Sequence, residues 1–287
     1  FNVHSEDIET FRKVIVPYWK GKSLEDVIKN RFGEEISAIS KVVKVNQTDH
    51  AQGHICPNVK EWLELGPQGY IDLASSHLKT CSDSQKEFYE CVILVMQGVQ
   101  KFMLRYHDLA LEMNKKDVAE ICEKLAYHQA STFHEALQSL WFLFVVLHME
   151  SNASSFSPGR LDETLYSYYK QDVDSGMLKE NEALELIECL WLKFNEIVYL
   201  RNAHSAKYFA GFPIGFNICV GGQDQNGNDF SNELSHLFLK AQEDIGLPQP
   251  NLSVRLHEHT NDELLKHAIR VVSKGSGMPQ FFNDKAI

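Results

Sequence analysis

The stretch NICVGGQDQNGNDFSNELSHLFLKAQEDIGLPQPNLSVRLHEHTNDELLKHAIRVVSKGSGMPQFFND, Asn217–Asp284, decides the fold class. Three short apolar segments, FPIGFNICVGG (212–222), NLSVRLHEH (251–259) and MPQFFND (278–284), alternate with helically spaced ones at 230–244 and 261–273. Strand, turn, helix, strand, helix, strand is the pattern of βα units that build a parallel sheet. The connection QDQNGND after the first strand is rich in Asn, Asp and Gly, the residues that tolerate tight turns. Only three residues follow Asp284. A βα architecture does not close there, so the expectation is part of a longer barrel or sheet.

Upstream of this stretch the apolar spacing is helical. Residues 6–19 and 24–31 carry it, with Ser23 as N-cap of SLEDVIKN. Residues 84–113 form a long periodic run through Val92, Val95, Met96, Val99, Phe102 and Met103. Thr132 with Glu135 three residues later reads as a capping box. It opens a helix to about His148 that is apolar nearly all round and therefore buried. Residues 180–201 repeat the theme. No linker-like composition or internal repeat interrupts the chain. The expectation is one incomplete domain over 1–287, helical over about 1–205 and carrying barrel strands and helices over about 206–287.

Bulk properties narrow the function. The 287 residues are 44% hydrophobic, enough for a large core, and carry a formal net charge of −11 without a basic stripe. That balance disfavours nucleic acid as a partner. The longest apolar run, LWFLFVVL at 140–147, is far shorter than the ~20 residues a membrane span needs. The six cysteines (56, 81, 91, 122, 189, 219) form no CxxC or zinc-finger spacing, and most sit in apolar runs. Buried thiols in a reducing cytoplasm are the expectation.

Four segments offer polar chemistry. Ser154–Asp162 (SSFSPGRLD) reads as a loop held by an Arg160–Asp162 pair, with a polar site lining as the alternative. Asp49–Asn58 (DHAQGHICPN) gathers His50, His54 and Cys56; Gly53 and Pro57 favour a polar loop over a helical metal pair. His257-Glu258-His259 enters a loop, so exposure is expected. Gly221-Gly222 and Gly275-Ser276-Gly277 match no phosphate-binding pattern and read as turns.

Taken in order, TFHEALQSLWF, ESNASSFSPGRLDETLYSYYKQD, KFNEIVYLR, NICVGGQDQNGNDFSNELSHLFLKA, LPQPNLSVRLHEHT and GSGMPQFFND resemble glycyl radical enzymes of the pyruvate formate-lyase type. The resemblance runs from about residue 45 to the end. It implies a ten-stranded α/β barrel wrapped in helices. In it, a glycyl radical passes to a cysteine whose thiyl radical takes a hydrogen atom from substrate. The cysteine loop (G-C-V-E-P-like) and glycine segment (R-V-x-G-Y-like) of that family do not occur here, so no cysteine of this chain inherits the catalytic role.

For the pocket, the resemblance implies His54 first and His50 second as polar substrate-binding residues. Phe209 is implied to pack against substrate, with Tyr208 and Ala203 beside it setting specificity. It further implies a homodimer, a separate S-adenosylmethionine-dependent iron–sulfur activase and no metal in this subunit. The reaction class is lyase or dehydratase chemistry (C–O, C–C or C–N cleavage) on a small polar metabolite. Two alternatives remain at this point: a catalytically inactive half-length interaction module of the same ancestry, and an unrelated α/β enzyme with a histidine site.

Overall fold

The computed structural model describes residues 4–43, 53–151, 155–197 and 215–286. The chain divides into two compact units, Phe1–Gly53 with Ser151–Ala153, and His54–Glu150 with Ser154–Ile287.

In the first unit, α1 (Ser5–Thr10) runs through a π-helical turn at Phe11–Ile15 into α2 (Val16–Trp19). Pro17 supplies no N–H to the carbonyl four residues back and crowds it, and the wider π turn just before it relieves that clash. Ser23 caps α3 (Leu24–Ser40) as expected, its hydroxyl accepting the Asp26 N–H at 3.1 Å. The helix breaks at Phe32 (φ −130°), close to the end expected from sequence.

In the second unit a layer of helices precedes the sheet. Its long members are α4 (Val59–Leu78), α5 (Asp83–Glu112), α6 (Lys116–Tyr127) and α7 (Phe133–Ser151). Inside α4, Gly66 takes φ +60° just before Pro67, and a Cβ there would stand 3.2 Å from the His128 carbonyl oxygen. Only glycine combines that backbone with that approach. The capping box of α7 forms: Glu135 N–H donates to Thr132 Oγ1 (3.2 Å), and Glu135 Oε2 accepts the Ser131 and Thr132 N–H groups (2.8 and 3.3 Å). Phe133, Leu140 and Phe142 on α7 and Met103 on α5 are fully buried. Trp62 of α4 donates Nε1–H to the Ser139 carbonyl at 3.0 Å and so ties α4 to α7.

The sheet is parallel, in the order β1 (Gly159–Arg160), β2 (Asn217–Gly221), β3 (Asn251–Leu256), β4 (Gln280–Asn283). Short helices α8 (Leu161–Thr164) and α9 (Tyr166–Asp174) and then α10 (Glu180–Phe194) follow β1; α11 (Glu233–Ile245) joins β2 to β3, and α12 (Asp262–Val272) joins β3 to β4. The three strands expected from sequence are present. β1 is an addition, lying where sequence suggested only a loop.

The period of two along a strand sorts the side chains. Ile218, Val220, Leu252 and Val254 share one face and are fully buried, in a core that also holds Trp191, Phe194, Phe216, Phe238 and Leu264. Trp191 Nε1 donates to Gln242 Oε1 at 3.0 Å, which fastens α10 to α11. Arg160, Asn217, Cys219, Asn251, Ser253, Arg255 and Gln280 share the opposite face through the register pairs Arg160↔Cys219↔Ser253↔Gln280. One face is therefore sealed by apolar packing, while the other is polar apart from Phe282, which the register sets opposite Arg255, and is mostly half-exposed. At the edge, all four residues of β4 are exposed.

Candidate functional site on the polar face of the sheet

The segment after Gly53 reaches the sheet beside β1. Ile55 bridges Phe156 in parallel, and its carbonyl accepts the Ser157 N–H at 2.9 Å. Ser157 Oγ in turn accepts the Asn217 N–H at 3.1 Å, so this segment, the lead-in to β1, and β2 are laced in sequence. His54 stands immediately before the bridge, exposed and with φ +57°, a backbone that favours an exposed turn over regular structure. Cys56 lies against β1, its Sγ 3.0 Å from where a Cβ on Gly159 would sit. The expectation of buried thiols holds for Cys122 alone: Cys81 and Cys219 are half-buried, and Cys56, Cys91 and Cys189 are exposed. Partial desolvation pushes the thiols of Cys56 and Cys219 above their ordinary value.

At the carboxyl ends of the strands, Arg255 donates Nε–H to Asp284 Oδ1 at 2.8 Å. Its side chain is 30% exposed, whereas that of Asp284 is 5% exposed. The guanidinium lies over Gly222: a Cβ there would meet Arg255 Cβ and Nε at 3.0 Å, and the backbone holds φ +85°. The two glycines at 221–222 thus make the expected turn and also clear space for Arg255. Ser253 Oγ and Asp284 Oδ2 are buried without a hydrogen-bond partner among the described residues.

The SPGRLD loop does something other than the expected Arg–Asp pairing. Arg160 Nη1 and Nη2 donate to the Gln223 and Gly221 carbonyls, both at 2.9 Å, and Nη1 lies 3.1 Å from Glu163. Asp162, fully buried, accepts Gly221 N–H at 2.7 Å and Ser235 Oγ–H at 2.6 Å through Oδ2. Arg160 and Asp162 therefore grip the same turn after β2 from two sides. Burial raises the Asp162 pKa to about 6, against the opposing pull of Ser235 and Gly221. This cluster is a structural brace: Arg160 holds two backbone carbonyls and Asp162 holds the Gly221 N–H and the Ser235 hydroxyl of α11.

The other sequence candidates divide. His259 is exposed, as expected, but the His257 side chain is only 2% exposed. Its Nδ1 accepts the His259 N–H (3.2 Å), so Nε2 carries the proton and donates it to Asp229 Oδ1 at 2.9 Å. The exposure expected of His257 is corrected by that partner, 28 residues away in the turn. No group of three or more His, Cys, Asp or Glu is placed to hold a metal among the described residues. His50, Ala203, Tyr208 and Phe209 lie outside the described residues. No helix among those described is long and apolar enough to cross a membrane. A cavity of about 350 Å³ between α5, α6, α7 and α10 is lined mainly by apolar groups such as Leu137, Trp141 and Phe142, well suited to packing and poor in polar groups to orient a substrate. Sequence reasoning passed over Arg255, Ser253 and Asp284. The signal of Ser253 and Arg255 was the alternation SVR within β3, legible only once the sealed face is known.

Comparison with known proteins accords with this architecture. The pyruvate formate lyase-like family model matches residues 1–287. The chain is 30% identical to the probable dehydratase YbiW of Escherichia coli, covering 99% of this chain and 38% of that protein. It is 30% identical to trans-4-hydroxy-L-proline dehydratase of Clostridioides difficile, covering 100% of this chain and 39% of the relative. Among solved structures, the B12-independent glycerol dehydratase from Clostridium butyricum superimposes with a TM-score of 0.87 at 31% identity, over 99% of this chain and 38% of the other. The chain thus spans somewhat over a third of the length of the relatives it matches, and over that span it shares the helix-wrapped parallel strands of their α/β barrel. The chain belongs to the pyruvate formate lyase-like family of glycyl radical enzymes.

Proposed function

We propose that this chain forms the first substrate-facing strands of a glycyl radical lyase or dehydratase that cleaves a C–O, C–C or C–N bond in a small polar metabolite. The observation that carries the reading is the division of the sheet: one face sealed by apolar packing, the other lined by Arg160, Asn217, Cys219, Ser253, Arg255 and Gln280. A closed barrel of such strands has a polar interior walled off from water. Three buried polar atoms on or beside this face, Arg160 Nε, Ser253 Oγ and Asp284 Oδ2, have no partner among the described residues, which suits a face that completes its hydrogen bonding elsewhere.

The reading makes all of 1–287 part of one pyruvate formate lyase-like domain, in line with the span of the family match. His54, with His50 second, donates a hydrogen bond to a substrate hydroxyl or carboxylate. Phe209 supplies an apolar wall under the substrate, and Tyr208 and Ala203 shape its size. Hydrogen-atom abstraction is the chemistry a glycyl radical supplies, installed by a separate S-adenosylmethionine iron–sulfur activase in a homodimeric enzyme. The residues of this chain bind and orient the substrate and exclude water.

The test uses the full-length protein that carries this sequence, activated anaerobically and offered diols, hydroxy acids and hydroxysulfonates. Turnover of at least one, with His54→Ala lowering kcat/KM by about 10²-fold, is expected. A radical-bearing protein that turns over none of them would sink the proposal.

A further inference from the structure

We propose that Arg255 is the anion-recognising residue of the polar face, selecting a substrate that carries a carboxylate. The inference rests on the lyase reading and adds a substrate class to it. Arg255 is the penultimate residue of β3, and ligands of parallel α/β sheets gather at the carboxyl ends of the strands. Register puts its side chain on the same face as Cys219 and Ser253, away from the apolar core.

Its guanidinium is held in one orientation but not used up. Nε–H is spent on the buried Asp284 carboxylate, and the absent side chain at Gly222 leaves a flat backbone floor beneath the group. Neither Nη1 nor Nη2 has a hydrogen-bond or ion-pair partner among the described residues. Arg160, the other arginine on this face, contrasts with it: both its Nη groups are bound to backbone carbonyls, one at the end of β2 and one in the turn after it. Arg255 therefore presents a fixed, planar pair of donors, the geometry that matches both oxygens of a carboxylate.

Asp284 does not cancel the site, because it engages the Nε edge and is turned inward, and Ser253 on the same face adds a hydroxyl without a partner among the described residues. A neutral diol would leave the two Nη groups desolvated and unpaired, a loss that disfavours it against the matching hydroxy acid.

Isothermal titration of the full-length protein, without activation, measures this directly with two matched pairs: glycolate against ethylene glycol, and lactate against propane-1,2-diol. The hydroxy acid of at least one pair is expected to bind about tenfold or more tighter than its diol. The double variant Arg255→Gln/Asp284→Asn removes the pair without orphaning the buried carboxylate and is expected to abolish that preference. Arg255→Lys keeps the charge but loses the fork and is expected to fall between. Melting temperatures within a few degrees of the parent establish that the variants fold. Equal affinity for acid and diol, an undiminished preference in the double variant, or no binding of either acid would overturn the assignment. Since no radical is involved, a failure of the lyase reading appears separately, as absent turnover with acid binding intact.

Discussion

Asp162→Asn probes the brace that fixes the turn after β2, and its effect has a sign that depends on pH. The carboxyl is fully buried, and its pKa rises from the ordinary 3.8 to about 6 because burial disfavours the charged form. A difference of about two units at about 1.4 kcal/mol each gives about 3 kcal/mol. Since the folded pKa lies above the unfolded one, the folded state holds the proton more tightly. Its contribution is fully present below 3.8 and is lost as pH rises through about 6. The amide cannot titrate, and any cost of its extra N–H group is constant with pH. Urea midpoints followed by fluorescence of the buried Trp191 would be measured for parent and variant at about pH 4.5 and about pH 7.5. The parent is expected to lose about 2 kcal/mol relative to the variant between those values. Parallel stabilities across the range, or a parent that gains on the variant as pH rises, would refute the assignment of a buried, reluctantly ionised carboxyl.

Glu135 has the opposite sign. Burial pushes its pKa up, but Lys124 and the Ser131 N–H and hydroxyl outweigh that and hold it below its ordinary value. Its stabilisation is present above the ordinary 4.5 and lost as pH falls, so Glu135→Gln is expected to cost about 1–2 kcal/mol at neutral pH and less in acid, read from urea midpoints. Gly222→Ala combines φ +85° with a 3.0 Å clash on Arg255 and is expected to lower stability by about 1–3 kcal/mol in the same assay. Trp191→Phe removes the 3.0 Å bond to the buried Gln242 and is expected to cost about 1–3 kcal/mol. The exposed edge strand β4, with Phe281 and Phe282 at 40% and 42% exposure, is expected to drive concentration-dependent association of the isolated 287-residue chain. Phe282→Lys should shift its sedimentation profile towards monomer, and an unchanged profile would place the association elsewhere.

What sequence made legible follows range of interaction. The Ser23 cap, the Thr132–Glu135 box and the strands at 217–221, 251–256 and 280–283 are set by residues within a few positions of one another, and they appear where expected. β1 was hidden because two residues after Pro158, with Gly159 at φ +81°, carry no alternation; the strand exists only through its pairing with residues nearly sixty positions later. Arg160 and Asp162 were expected to satisfy each other because they are neighbours, yet each found a better-placed partner at the turn after β2. His257 was misjudged for the same reason, its partner Asp229 being set by the return of the chain. Of the residues expected in the pocket, His54 lies among those described, beside β1, while the side of the sheet that Arg255 occupies follows only from the register of three strands.

The most direct test of the central claim is the electron paramagnetic resonance spectrum of the full-length protein after anaerobic treatment with the proposed S-adenosylmethionine-dependent activase and a reductant. The account predicts an organic radical split by a single α-hydrogen, as a glycyl radical must be, which decays on addition of oxygen. A protein that receives no such radical from any activase of the family would contradict the enzyme reading and leave a barrel of this ancestry without its chemistry.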